Sequence, residues 1–405
     1  MKKFTLLLFA ITILFTSCNI SKNARNTENQ PYLVVLSLDG FRWDYPDSVA
    51  TPNLDKIAQQ GVRAKSMQAS FPTKTFPNHY TIATGLYPSN NGLVNNSFVD
   101  ERGLMYSMGN RKAVEDPEFY FGEPIWNTAE KQGIKAATFF WVGSEAPIQN
   151  MRPSFWKSYE HNFPFEQRID TVIAWLKLPA EKRPRLILWY MHEPDGVGHT
   201  YGPFAKESNQ EIHYLDSLVG VFMYKLNHLS IGENVNVIVL SDHGMGRISD
   251  EKQIFLNKIL KPQWTSTIVG GNPFYNIKAT AGNVDSILFV LNNTQGVTAY
   301  KTSEVPERLH YKSNIRTMDI IAFADSSYSL HENSKRDYKG KGTHGYDNRN
   351  TDMDAIFYAY GPAFKQNYSQ KRFINVSLYP LFCKILGIKE APNDGDIAEV
   401  IDMLK

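Results

Sequence analysis

Cysteine is nearly absent from this chain of 405 residues, in which only Cys18 and Cys383 occur. A disulfide framework is therefore excluded, even in a compartment that would permit one. Charge of one sign is missing too: 43 lysines and arginines face 41 aspartates and glutamates, leaving a formal net charge of +2. No stable duplex nucleic-acid partner is expected, because such a partner demands a concentrated basic surface. There is no internal repeat and no low-complexity tract. Composition indicates a globular protein whose stability comes from its core and any bound metal.

Long hydrophobic runs are also lacking, save one at the start. Lys2 and Lys3 precede an apolar run over 4–15 that leads into Phe15-Thr16-Ser17-Cys18. That run is short for a membrane span. It reads as a lipoprotein signal peptide over 1–17, cut before Cys18, with the cysteine lipidated and residues 18–30 forming a flexible tether. The expectation is an exported bacterial lipoprotein held by its lipid anchor in the outer membrane, facing the periplasm or the cell exterior. An ordinary secretory peptide or an uncut N-terminal anchor is the alternative.

Beyond the tether, residues 33–38 form an apolar run that enters Ser37-Leu38-Asp39-Gly40. Thr51-Pro52 then offers a cap and a first-turn proline for a helix closed by Gly61. The strand-helix alternation continues with helices near 125–131 and 167–178, each before an apolar strand, at 136–140 and 186–190. The clearest helix covers 207–226, with Ile212, Leu215, Leu218, Val219, Phe222, Met223 and Leu226 on one stripe. It precedes the apolar strand 237–240. Continuous apolar strands separated by helices predict an α/β fold with a mostly parallel central sheet covered by helices. The texture changes from about 270 to 330, where short segments suggest a small α+β insertion. A strand at 355–360 and a helix at 376–386 resume the main pattern, and Cys383 falls on that helix's apolar face.

Three of the strand exits deliver polar groups. Asp39 follows the first strand, Asp195 and His199 follow the strand at 186–190, and Asp242 and His243 follow the strand at 237–240. In open α/β sheets, ligands bind in the crevice at the carboxyl ends of the strands. Three aspartates and up to three histidines, counting His344, form a donor set suited to zinc. Asp195-Gly196-Val197-Gly198-His199 reads as a glycine-relieved loop wrapping a metal rather than a helical i,i+4 pair. Asp195 as a turn cap with a locally bonded His199 is equally compatible with the sequence. Asp242-His243 could be an ion-paired turn, and His344 an ordinary loop residue. Thr75 sits at a possible helix start, where a threonine commonly caps, but beside a metal its hydroxyl becomes a nucleophile. Spacing does not choose between Thr75 and Thr73.

Six segments occurring in order carry a resemblance: Asp39-Gly40-Phe41-Arg42, Pro72 to Tyr80, Thr84-Gly85-Leu86-Tyr87-Pro88, Glu193-Pro194-Asp195, Ser241 to Met245, and Thr343-His344-Gly345-Tyr346. In these the chain resembles the nucleotide pyrophosphatase/phosphodiesterase family of the alkaline phosphatase superfamily. The resemblance implies an alkaline-phosphatase-like catalytic domain over 31–405 that hydrolyses nucleotide phosphodiester and pyrophosphate bonds to nucleoside 5′-monophosphates. It implies Thr75 as the nucleophile, forming a phosphothreonine ester. It also implies two Zn2+ ions, one held by Asp195, His199 and His344, the other by Asp39, Asp242 and His243 and touching Thr75. Asn96 would donate to a phosphoryl oxygen, though on local grounds it could be a turn residue. The expected partner is a nucleotide or small phosphodiester substrate, and Phe76 and Tyr190, with Tyr159 nearby, would face a nucleotide's base, though such aromatics could equally be core. A phosphodiesterase for choline-type or phospholipid headgroups is the alternative within this class. A nonenzymatic binding lipoprotein is the alternative outside it.

Overall fold

The strand expected at 33–38 is Tyr32–Leu38, and all of its residues are buried. Successive side chains of a strand point to opposite faces. Leu33 and Val35 accordingly enter one hydrophobic core, while Tyr32, Val34, Leu36 and Leu38 enter another. A strand that is apolar on both faces must be covered on both. Leu186–Met191 and Val235–Leu240 flank it, and both pairings are parallel. The computed structural model describes residues 31–311, 314–334 and 338–405. The expected signal peptide, the lipidation site at Cys18 and the tether over 18–30 lie outside the described residues.

These three strands are the centre of an eight-stranded sheet. Its order is Tyr368–Gln370, Val62–Ala64, Phe357–Tyr360, Val235–Leu240, Tyr32–Leu38, Leu186–Met191, Ala136–Phe139 and Phe155–Lys157. Phe357–Tyr360 runs antiparallel to both neighbours, and the other pairs are parallel. One face is covered by Lys206–Asn227, which buries Ile212, Leu215, Leu218, Val219, Phe222 and Leu226, with Phe165–Leu176 and Pro52–Gln60 beside it. The other face carries Leu378–Leu386 and Ile125–Lys131. Cys383 lies buried in that second core, where burial pushes its thiol up to about 12, so it is an inert packing residue.

The start of the Pro52–Gln60 helix differs from expectation. Thr51 makes no capping hydrogen bond. The carboxylate of Asp216, reaching from Lys206–Asn227, instead accepts from the backbone amides of Leu54 at 2.9 Å and Asn53 at 3.2 Å. A charged acceptor at the positive end of a helix outcompetes a hydroxyl, and it ties two covering helices together.

The stretch expected as an insertion contains a four-stranded antiparallel sheet in the order Thr265–Gly271, Phe274–Ala279, Ile320–Ala324 and Val297–Lys301. Helix Val284–Asn292 packs on it through Ile287 and Leu291. At its border, Ser329–His331 pairs with Gln253–Phe255. His331 stacks on Tyr338 at 3.6 Å, and neither of its ring nitrogens has a hydrogen-bond partner among the described residues. Burial pushes this imidazole down to about 4.

Replacing Asp216 with alanine should cost about 2 kcal/mol, read as a lower urea midpoint at unchanged slope. For His331 the folded value lies below the unfolded one, so the unfolded chain binds the extra proton between them. Stability should therefore be fully present above about pH 6.5 and fall as the pH drops toward the folded value of about 4. Equilibrium unfolding across that window should show a shallower fall for His331→Phe than for wild type.

Candidate metal centre and substrate cavity

The three central strands all point their carboxyl ends at one place. The first hands over directly to Asp39, Leu186–Met191 leads through three residues to Asp195, and Val235–Leu240 leads to Asp242 and His243. A two-stranded ribbon, Gly246–Arg247 against Gly342–Thr343, then brings His344 back over the same crevice.

Two groups of ligand atoms result. Asp195, His199 and His344 bring one donor atom each to within 4.8 Å of one another, and so do Asp39, Asp195 and His243. Asp242 adjoins the second group, its Oδ2 lying 3.1 Å from His243 Nε2. The sequence-predicted ligands thus converge, with Asp195 facing both groups. The rings of His243 and His344 stack at 3.6 Å.

The imidazoles share one arrangement. Nδ1 of His199 donates to the carbonyl of Gly342 at 2.9 Å, Nδ1 of His243 to that of Gly244 at 2.8 Å, and Nδ1 of His344 to that of Thr73 at 2.8 Å. A carbonyl only accepts, so the proton is fixed on Nδ1, and in the neutral ring the Nε2 lone pair faces the carboxylates. On the acidic side, Asp39 Oδ1, Asp195 Oδ1 and Asp242 Oδ2 are buried and accept no hydrogen bond among the described residues. Such orphaned oxygens are costly without a cation. Burial, with Asp242 and Asp195 alongside, holds the Asp39 carboxyl well above the usual carboxylate range. Burial would push Asp242 up as well, but the imidazoles of His243 and His79 overcome it and hold the group well below its ordinary value. Burial and the neighbouring His243, Lys74 and His199 push His344 well down, keeping it neutral. Carboxylate oxygens without partners and imidazole nitrogens with fixed lone pairs fit two metal cations.

The Asp195 segment corrects its expectation. It is a helix, Asp195–Tyr201, so Asp195 and His199 are an i,i+4 pair after all. Glu193 supplies the order, accepting from the Val197 amide at 3.0 Å. The glycines serve close packing rather than a loop. A Cβ on Gly198 would meet the Met245 side chain at 3.1 Å, and a Cβ on Gly342 would lie 2.3 Å from the Gly198 carbonyl oxygen.

Thr75 is the first residue of the helix Thr75–Thr84, whose N-cap is Lys74. It does not cap: its Oγ1 lies 3.1 Å from His243 Nε2. Thr73 is committed elsewhere, donating to the Tyr346 carbonyl and accepting from the Gly345 amide. Asn96 Oδ1 accepts from the Phe76 amide at 2.9 Å, so the NH2 end of that side chain is the one left for another partner. A cavity of about 340 Å3 joins Thr75, Asp39 and Asp195 to Phe76, Tyr159 and Tyr190. Tyr190 also donates its hydroxyl to Asp39 Oδ2 at 2.5 Å.

Sequence reading passed over several participants. His79, one turn below Thr75, has Nδ1 3.0 Å from the Thr75 carbonyl and 3.3 Å from Asp242 Oδ2, while its Nε2 meets Ser37 Oγ at 2.9 Å. The i,i+4 spacing from Thr75 was the available signal. The ion pair Arg111–Glu145 and the rings of His161 and His192 also line the cavity, and no local motif marks them.

The model of the family "Type I phosphodiesterase / nucleotide pyrophosphatase" matches residues 33–347, and the chain belongs to that family, within the alkaline phosphatase superfamily. It is 38% identical over 387 residues to the venom phosphodiesterase CdcPDE of Crotalus durissus collilineatus, covering 93% of this chain and 47% of that protein. It is 36% identical over 392 residues to human ectonucleotide pyrophosphatase/phosphodiesterase family member 1, covering 93% of this chain and 42% of the relative. The chain spans about half the length of these sequence relatives. Among solved structures, murine ectonucleotide pyrophosphatase/phosphodiesterase 5 superposes with a TM-score of 0.88 at 33% identity, over 92% of this chain and 100% of that one. An inactive threonine-to-alanine form of that murine protein, solved in complex with AMP, matches with the same TM-score of 0.88. The fold is therefore alkaline-phosphatase-like. The relatives correct the expected placement in a bacterial outer membrane: they are proteins of snakes, human, mouse and cattle. No described helix is long and apolar enough to cross a membrane.

Gly342→Ala should drive the ribbon off the Asp195–Tyr201 helix and disturb the carbonyl that holds His199. Metal affinity should fall roughly tenfold, measured by chelator competition with elemental analysis. Wild-type affinity in a folded variant would show that the close backbone approach is dispensable.

Proposed function

We propose that the chain hydrolyses nucleotide phosphodiester and pyrophosphate bonds, releasing nucleoside 5′-monophosphates, with Thr75 as nucleophile and two Zn2+ ions as cofactors. The observation that carries this reading is the position of Thr75 Oγ1, 3.1 Å from His243 Nε2 and in one cavity with Asp39, Asp195 and three aromatic side chains. Asp195, His199 and His344 would hold one ion, and Asp39, Asp242 and His243 the other, consistent with a donor set of imidazole nitrogen and carboxylate oxygen. When bound, the pair supplies a lowered pKa for a coordinated hydroxyl and charge stabilisation on the phosphoryl oxygens.

The remaining work falls to the chain's own residues. Thr75 Oγ1 attacks phosphorus in line, the bond to the leaving alcohol or nucleoside phosphate breaks, and a phosphothreonine ester remains. Water attacking from the opposite side then cleaves that ester and restores the threonine. Asn96, its oxygen pinned by the Phe76 amide, donates through its NH2 group to a nonbridging oxygen. His79 fixes the first turn of the nucleophile's helix by binding the Thr75 carbonyl. Phe76, Tyr159 and Tyr190 would take the base by stacking, which accepts several bases without reading their edges.

The test is steady-state hydrolysis by zinc-loaded protein of ATP, a dinucleotide polyphosphate, a thymidine 5′-phosphodiester and glycerophosphocholine. Nucleotide substrates should be preferred, and Thr75→Ala should lower turnover at least about a thousandfold. Preference for glycerophosphocholine would overturn the substrate assignment. Wild-type turnover in Thr75→Ala would overturn the nucleophile.

A further inference from the structure

Beyond the stacking aromatics, the cavity has an outer wall with unusual construction. His161 and His192 both line it, and their rings stack at 4.0 Å with an interplanar angle of 29°. His161 Nδ1 meets the Tyr159 hydroxyl at 2.9 Å. Phe165 packs against His192 from behind, its ring centroid 5.0 Å away.

Beneath this stack lies Arg168, whose side chain is fully buried and forms no ion pair with a carboxylate among the described residues. Backbone carbonyls accept most of its hydrogen bonds, and Nη2 also lies 3.4 Å from His192 Nδ1. Nε donates to the Phe163 carbonyl at 3.1 Å, Nη1 to the Tyr190 carbonyl at 2.9 Å, and Nη2 to the His161 carbonyl at 3.2 Å. Its guanidinium also lies over the rings of Phe140 and Phe165, at 4.9 and 4.8 Å. One cation therefore fastens the segment that carries Tyr159 and His161 to the strand end that carries Tyr190. A guanidinium suits this, since its rigid fork holds several acceptors at once. Burial, with His161 and Arg168 alongside, pushes the His192 imidazole down to about 3, so this ring is neutral at neutral pH.

We infer that the His161–His192 stack, fastened by Arg168, is a specificity-determining wall of this cavity, which sets the position of Tyr159 and presents imidazole edges to the base-bearing end of the substrate. The inference rests on the nucleotide reading above. Arg168 acts through the others and is a positioning residue. The Nε2 atoms of His161 and His192 have no hydrogen-bond partner among the described residues, which leaves them available to polar groups on a base.

The experiment compares the p-nitrophenyl ester of thymidine 5′-monophosphate with p-nitrophenyl methyl phosphate, which has no base, in wild type, His161→Ala, His161→Phe and His192→Ala. The alanine variants should raise KM for the nucleoside ester about threefold to tenfold, the worth of an aromatic contact, with a much smaller change in kcat. The baseless ester should be affected less than twofold. His161→Phe keeps a ring on His192 but cannot bond Tyr159, so an intermediate KM is expected. AMP binding by calorimetry in a Thr75→Ala background should weaken in parallel. Equal penalties on both esters, or unchanged KM and AMP affinity in folded variants, would overturn the wall's role. A wild-type enzyme that does not favour the nucleoside ester would instead overturn the nucleotide reading beneath it.

Discussion

Burying negative charge is the constraint on which the rest of this structure depends. Three adjacent parallel strands end in carboxylates aimed at one crevice, and one oxygen on each of Asp39, Asp195 and Asp242 is buried without a hydrogen bond among the described residues. Taking such groups out of water costs several kcal/mol apiece unless a counter-charge is near. Much of the surrounding architecture brings positive or polarisable partners to these oxygens. The Gly246–Thr343 ribbon delivers His344, the short Asp195–Tyr201 helix sets His199 one turn from Asp195, and Tyr190 caps the second oxygen of Asp39.

The scaffold that makes this possible is ordinary in its physics. Strands that are apolar on both faces require two covering layers, and those layers leave only the strand ends open. Polar side chains placed directly after Leu38 and Leu240 therefore have one common destination. The backbone carbonyls of Gly342, Gly244 and Thr73 then fix the imidazole tautomers, so the lone pairs are aimed before any ligand arrives.

How much could be read in advance follows from how local each signal is. The buried strands, the long amphipathic helix and the polar strand exits rest on periodicity and adjacency, and the sequence showed them clearly. The shape of Asp195 to His199 did not follow, because two glycines reduce helix propensity and the compensating packing of Met245 against Gly198 is tertiary. The same holds for the start of Pro52–Gln60, where a carboxylate more than 160 positions away replaces the local threonine. The choice between Thr73 and Thr75 turned on the partners of each hydroxyl, and no spacing rule encodes those. The cavity wall of His161, His192 and Arg168 was least legible, since it is assembled from a loop, a strand exit and a helix.

The hydrogen bond between the Tyr190 hydroxyl and Asp39 has a consequence for how such a protein can diversify. Tyr190 belongs at once to the surface that meets the substrate and to the support of an acidic group in the centre. A substitution there cannot adjust selectivity without also loosening that carboxylate. His161, Tyr159 and Phe76 carry no such double duty. Natural or laboratory variation toward new substrates is therefore channelled to the side of the cavity away from Tyr190, where change leaves the reaction centre in place.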